Sequence, residues 1–124
     1  YAAPTRVPAV AGAYVMIRCD LFEAMNGFDE GFFVFMEDTD LSLRLERSGH
    51  ANLFVPAAGA THAWGHGSSA GKLQRAWLQH VSIWKYFCKH RPGAYSAGVL
   101  PVLLGANLVL TVLLAGVGSR GNGR

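Results

Sequence analysis

Apolar positions in this chain fall into short runs broken by glycine, proline and charge, and the period changes from run to run. Gly12-Ala13-Tyr14-Val15-Met16-Ile17 is short, apolar and β-prone, which predicts a buried strand. Asp20 can cap a short helix, Leu21 to Met25, that stops at Asn26-Gly27. Phe28-Asp29-Glu30-Gly31 predicts a turn, and Phe32 to Met36 a rigid aromatic stretch. A helix follows from Asp38 to Ser48, with Leu41 and Leu45 on one face and Gly49 as its C-terminal cap. Leu53-Phe54-Val55 reads as a strand ended by Pro56, and Ala60-Thr61-His62 as a second short extended piece. Ala63 to Gly71 is a Gly/Ser/His loop. Lys72 to Lys89 predicts a long helix with Leu73, Trp77, Val81 and Trp84 on one side. The mixture of short strands and helices argues for an α/β or α+β architecture.

The last apolar run is different in kind. Ala94 to Val117 carries no charged residue. At ~1.5 Å per residue such a run can cross a ~30 Å hydrocarbon core. Gly98, Pro101 and Gly105 weaken it as a straight helix, though membrane helices tolerate such residues. The competing reading is an apolar helix or hairpin packed against the domain. Lys85, Lys89, His90 and Arg91 precede the run, which favours an anionic membrane surface on the cytoplasmic side. The predicted division is therefore residues 1–91 as one domain and 92–124 as a hydrophobic, membrane-associated segment and tail.

Composition narrows the picture further. The 124 residues suffice for one domain, and the opening Tyr1 to Val10, with Pro4 and Pro8, reads as mid-chain loop of something longer. A net charge of +3 is mild, and the basic residues are not interleaved with aromatics, so no nucleic-acid partner is expected. Cys19 and Cys88 lie far apart in unlike segments, which points to neither a disulfide scaffold nor zinc, and to a reducing compartment.

Candidate chemistry concentrates at Glu37, Asp38 and Asp40, three of the eight acids within four positions. Acids before a helix are common caps, and that reading competes with catalysis. Two acids would suffice for capping, and the aromatic run before them looks like a pocket wall. Asp40 stands four residues before Arg44, a helical ion pair of about 0.2–0.5 kcal/mol. A calcium loop fits poorly, because Phe32 to Met36 breaks the alternation of ligands. Trp77 and Trp84 fall at helical spacing, which favours packing or a membrane interface over sugar stacking.

A longer pattern carries more. Gly12-Ala13, Arg18, Gly27-Phe28-Asp29-Glu30, Phe32-Phe33, Glu37-Asp38-Thr39-Asp40-Leu41, Arg44, Gly49, Pro56 and His62 occur in that order. The string resembles the C-terminal half of a family 2 glycosyltransferase catalytic domain, with its nearest likeness to rhamnosyltransferase-like enzymes of bacterial cell-envelope polysaccharide synthesis. It covers roughly the first three quarters of the chain and continues weakly through Ser68 and Tyr86 to His90. Two departures stand out. The family's nucleotide-binding N-terminal half, with its Asp-x-Asp metal motif, is absent. Phe35 stands where relatives often have Tyr.

The resemblance implies a partial GT-A-type, Rossmann-like mixed sheet with helices, followed by the hydrophobic helical segment. It implies an inverting transfer of a sugar from a nucleotide-diphosphate donor to a glycan or lipid-linked acceptor, at the cytoplasmic face of the bacterial inner membrane. Asp38 would be the general base and Glu37 its support. Asp29, Glu30, Asp40 and Arg44 would hold the acceptor or support the site, with turn-forming an equal role for Asp29 and Glu30. His66 and Ser68 would touch phosphate. His62 would complete a divalent metal site (Mg or Mn) held mainly by the missing half, so these residues alone are expected to be inactive. The rival is a non-catalytic membrane-associated scaffold that retains the fold. Upstream sequence with Asp-x-Asp after an apolar strand would favour the enzyme.

Overall fold

A computed structural model of the protein describes residues 2–62 and 71–120, with side chains through Leu114. It contains β1 (Thr5–Arg6), α1 (Cys19–Ala24), α2 (Glu37–Arg47), β2 (Leu53–Phe54) and α3 (Lys72–His90). A π-helical turn (Tyr95–Val99) then leads directly into α4 (Leu100–Arg120). Two compact units divide the chain, residues 1–68 and 69–124. The fold is mixed, mostly helical, with one small sheet.

The first unit is organised by α2. Its apolar face buries Leu41 and Leu45, and Phe32 is buried ahead of it. The rest of its packing is polar. Asp40 is 0% exposed and bonds Arg44 Nε at 2.8 Å. The other two guanidinium nitrogens of Arg44 donate to Met25 O and, at 2.7 Å, to Gly27 O. These carbonyls belong to the end of α1, where Gly27 N–H bonds Phe22 O and Asn26 N–H bonds Glu23 O, a Schellman closure. Asn26 and Gly27 accordingly have φ of 56° and 65°. A second closure ends α2, with His50 N–H on Leu45 O, Gly49 N–H on Glu46 O and Gly49 at φ 88°. The helix ends expected at Asn26-Gly27 and Gly49 are those observed.

One turn away on α2, Ser42 Oγ accepts Val10 N–H at 3.2 Å. Asn52, also buried, donates to Ser42 O at 3.0 Å and to Pro8 O at 3.3 Å. These bonds hold residues 8–10 along α2 and lead into the only strand pairing among the described residues. There β1 and β2 run antiparallel, with Thr5 opposite Phe54 and Arg6 opposite Leu53.

Three sequence expectations are corrected here. Residues 12–17 form no strand: Tyr14 N–H closes a turn on Ala11 O, and Tyr14, Val15 and Met16 are exposed. A strand needs a partner for its N–H and C=O groups, and none of the described residues supplies one. Residues 60–62 likewise join no sheet among the described residues. Asp20 is also not a cap. Arg18 holds the cap position and Asp20 lies in the first turn, paired with Arg18 in an exposed bridge that contributes little.

The second unit is a helical hairpin. His80 faces Asn107 across α3 and α4, Nε2 to Oδ1, at 3.0 Å. The π turn has a local cause. Leu100 N–H bonds Tyr95 O, five residues back, and the next bond in that series would need an N–H that Pro101 lacks. The released Ser96 carbonyl instead accepts Trp84 Nε1–H at 3.1 Å, with the Cys88 thiol at 3.9 Å.

The burial of Asp40, with the Arg44 side chain 21% exposed, changes what the Asp40–Arg44 pair is worth. Removing one partner of a buried pair leaves an uncompensated charge and costs about 3–5 kcal/mol, well above an exposed helical pair. Arg44→Met is expected to lower the urea midpoint accordingly, and the Asp40→Asn/Arg44→Met double variant to recover part of the loss. A loss below about 1 kcal/mol, the level of a surface pair, would mean the pair is not buried.

Candidate active site

The backbone reverses sharply before the acids. Phe35 and Met36 have φ of 65° and 69°, both left-handed, and neither is glycine or asparagine. Each such residue costs roughly 1–2 kcal/mol, so the surroundings must hold them there. Asp40 N–H bonds Met36 O at 2.8 Å, the first bond of α2, and Phe32 is buried beside the turn. Met36 is the cap residue of α2 and offers no side-chain cap bond. Glu37 and Asp38 therefore occupy the first helical turn, where the helix dipole favours negative charge.

Asp38 is held from two sides. Its Oδ2 accepts Gly12 N–H at 2.8 Å. Its Oδ1 accepts Thr39 N–H at 2.7 Å and the Thr39 hydroxyl at 3.2 Å. Gly12 lies close: a Cβ there would meet Asp38 Cβ at 3.4 Å. A carboxylate offers about four acceptor sites. Three are taken, and the remaining one is on Oδ2. Glu37 Oε2 is shielded from solvent and has no hydrogen-bond partner among the described residues. Such an atom costs free energy unless something bonds it.

The other predicted residues separate into groups. Asp40 and Arg44 act together as the buried clamp between α2 and the end of α1. Asp29 Oδ1 accepts Gly31 N–H at 2.8 Å, which makes it a turn former. Glu30 and His62 are exposed. His66 and Ser68 lie outside the described residues. A cleft lined by Arg6, Pro8, Glu46, His50 and Asn52 sits at the opposite end of α2 from Asp38 and includes none of the predicted site residues. Among the described residues, no three His, Cys, Asp or Glu side chains come together as a metal site.

Sequence reasoning missed Gly12 and Thr39 as the donors that hold Asp38, and missed the left-handed turn. Gly12 stands in the quoted motif, but nothing local ties it to Asp38, 26 residues away.

Comparison with curated proteins gives two clear similarities. The chain is 35% identical over 88 residues to the rhamnosyltransferase WbbL of Escherichia coli (strain K12), covering 70% of this chain and 33% of the relative. The chain resembles rhamnosyltransferases. It is also 28% identical over 97 residues to the N-acetylglucosaminyl-diphospho-decaprenol L-rhamnosyltransferase of Mycobacterium tuberculosis (strain CDC 1551 / Oshkosh), covering 78% of this chain and 32% of the relative. The similarity supports a glycosyltransferase family. The chain spans about a third of the length of these curated relatives. No family model and no solved structure matches it.

The left-handed turn yields a direct check. Glycine ordinarily weakens an ordered segment, but at positive φ it removes the Cβ clash. Met36→Gly is expected to leave the unfolding free energy, read from the urea midpoint, unchanged or to raise it by up to about 1 kcal/mol. A loss of more than about 1 kcal/mol, the usual glycine penalty, would mean that Met36 is not left-handed.

Proposed function

We propose that this chain is the acceptor-side part of an inverting family 2 glycosyltransferase of GT-A type. The whole enzyme transfers a sugar, by the names of its relatives a rhamnose, from a nucleotide-diphosphate donor to a glycan or lipid-linked acceptor. The mycobacterial relative's name specifies a decaprenol-linked acceptor. The setting is polysaccharide synthesis at the cytoplasmic face of the bacterial inner membrane. The observation that carries this reading is the pair Glu37-Asp38, presented at the start of α2 by a strained turn and pinned by Gly12. Strain of this kind persists where the surroundings enforce it, and it clusters at active sites.

In this reading Asp38 is the general base. Its free acceptor site on Oδ2 takes the proton of the acceptor hydroxyl as that oxygen attacks the anomeric carbon. The bond to the nucleotide diphosphate breaks with inversion. The N–H groups of Gly12 and Thr39 fix the carboxylate's orientation, which limits the reorganisation needed at reaction. Glu37, adjacent to Asp38 in the first turn of α2, supports it. Asp29 and Glu30 shape the acceptor side, and His66 and Ser68 belong to the phosphate loop. A divalent metal, Mg or Mn, would supply the charge that offsets the leaving diphosphate, and His62 would contribute one of its ligands. The present 124 residues alone carry no transferase activity.

Asp38→Asn keeps the size and most of the hydrogen bonds but cannot take a proton. In the full-length enzyme its turnover should fall on the order of 10²–10⁴-fold, with nucleotide affinity and melting temperature near wild type. Near wild-type turnover, or simple unfolding, would return Glu37 and Asp38 to a helix start and favour the scaffold reading.

His62→Ala tests the donor side separately. An imidazole at the end of an extended piece is a ready metal ligand in its neutral form. Metal-dependent nucleotide binding should weaken in the variant. Unchanged affinity and unchanged metal dependence of turnover would leave His62 without a role at the donor site.

A further inference from the structure

Charge separates the two units as sharply as structure does. Residues 69–124 hold seven of the eleven Lys and Arg residues and none of the Asp and Glu; residues 1–68 hold the other four basic residues and all eight acids. The second unit is thus both strongly basic and strongly apolar. Its helix from Tyr95 to Leu114 has a mean hydropathy of 2.2 and is long enough to cross a membrane, and it is almost entirely unburied. Val102 is 71% exposed, and Val109, Leu113 and Leu114 are 60% or more exposed. No one side of α4 is polar.

Length alone would let α4 stand upright in a bilayer. Its pairing with α3 argues otherwise. The two helices run antiparallel, with His80 level with Asn107 and Trp84 level with Ser96. Asn107 lies past the middle of the apolar run, so an upright α4 would carry α3 into the hydrocarbon to the same depth. Arg75 lies ~8 Å beyond His80 along α3 and Lys85 ~8 Å back toward the hairpin turn, so both would sit within the hydrocarbon. Charged side chains at that depth are costly unless they reach water or a partner. From His80, which faces α4, Arg75, Lys85 and Lys89 lie roughly half a turn round α3. A flat hairpin meets every one of these constraints. Apolar α4 sinks to the acyl boundary, α3 rides above it, and the basic residues stay at the level of the headgroups.

We infer that the α3–α4 hairpin lies in the plane of an anionic bilayer, with α4 in the acyl boundary and Lys72, Arg75, Lys85, Lys89 and Arg91 on lipid phosphates. The occupant of the exposed apolar surface is the lipid surface because the same unit carries seven basic residues and no acid, a balance that an anionic bilayer attracts. A second copy, bearing the same positive charge, would be repelled. The inference deepens the membrane part of the reading above and does not depend on the transfer reaction.

The test uses the 124-residue chain and two kinds of vesicle, phosphatidylcholine alone and phosphatidylcholine with phosphatidylglycerol. Flotation should show binding at least ~10-fold tighter to the anionic vesicles, weakening with added salt. Ala94→Cys and Ser119→Cys, each made in a Cys19→Ser/Cys88→Ala background, are then labelled on bound vesicles with a membrane-impermeant maleimide. Both positions should label from outside without detergent. As a check without substitutions, external trypsin should release residues 121–124 by cutting after Arg120 of the bound wild-type chain. Protection of position 119 and of the Arg120 site until detergent is added means that α4 spans; that outcome overturns the flat hairpin and leaves membrane association standing. Equal binding to both vesicle types overturns the anionic surface as the partner of the basic residues. A chain that floats with neither, and sediments as a dimer, overturns the lipid surface in favour of a second copy. None of these outcomes bears on sugar transfer, which is measured separately.

Discussion

The buried Asp40–Arg44 pair is the constraint on which the first unit depends. Asp40 has no solvent contact, so its charge must be met from within the protein. Arg44 meets it with Nε and uses its two remaining nitrogens on the carbonyls of Met25 and Gly27. A planar guanidinium can satisfy three acceptors in fixed directions; a lysine could not reproduce that fork. The result joins two parts of the chain that share little apolar surface. A buried pair of this sort adds little net stability over an apolar pair. What it supplies is position: α2 and the α1 turn can meet in one arrangement only, because any other leaves a charge unpaired.

Position is what the neighbouring acids require. Spacing along α2 puts Asp38 and Ser42 four residues apart, on one face, and both accept N–H groups from the segment 10–12. Asn52 ties that segment down a second time through Pro8. The same helix that buries Asp40 on one side thus fixes Asp38 on another. Against this frame, the left-handed Phe35-Met36 turn can be held at a cost that an isolated loop could not bear. A small apolar core of Phe32, Leu41 and Leu45 would not hold it alone.

What could be read from the sequence was local. The helix over Glu37 to Arg47, its glycine end at Gly49, the α1 stop at Asn26-Gly27 and the Asp40–Arg44 spacing each depend on residues within a turn or two. What could not be read depends on partners far along the chain or absent from it. Residues 12–17 have the composition of a strand, but composition does not supply a neighbouring strand. Phe35 and Met36 carry no signal for positive φ, since the residues that usually adopt it are glycine and asparagine. Burial of Asp40 is equally invisible at the level of spacing, which distinguishes neither an exposed pair from a buried one nor their different energies. Of the candidate site, the acids were legible from the motif; the amides that hold them were not.

The second unit solves a different problem. Pro101 interrupts the apolar run and leaves the Ser96 carbonyl without its backbone donor. In water that carbonyl could be solvated. In an apolar surrounding it would be an unpaired polar group, which lipid does not tolerate. Trp84 and Cys88 cover it from α3, and the Ser96 hydroxyl is itself turned to Gly93 O. The hairpin therefore closes its own defect with side chains, without reliance on solvent. Trp84 can do so only while α3 and α4 stay side by side, so the bond that repairs the helix also fixes the pairing. That pairing keeps the basic residues of α3 beside the apolar length of α4 at whatever depth the helix adopts, and it is why charge on one helix limits the depth of the other.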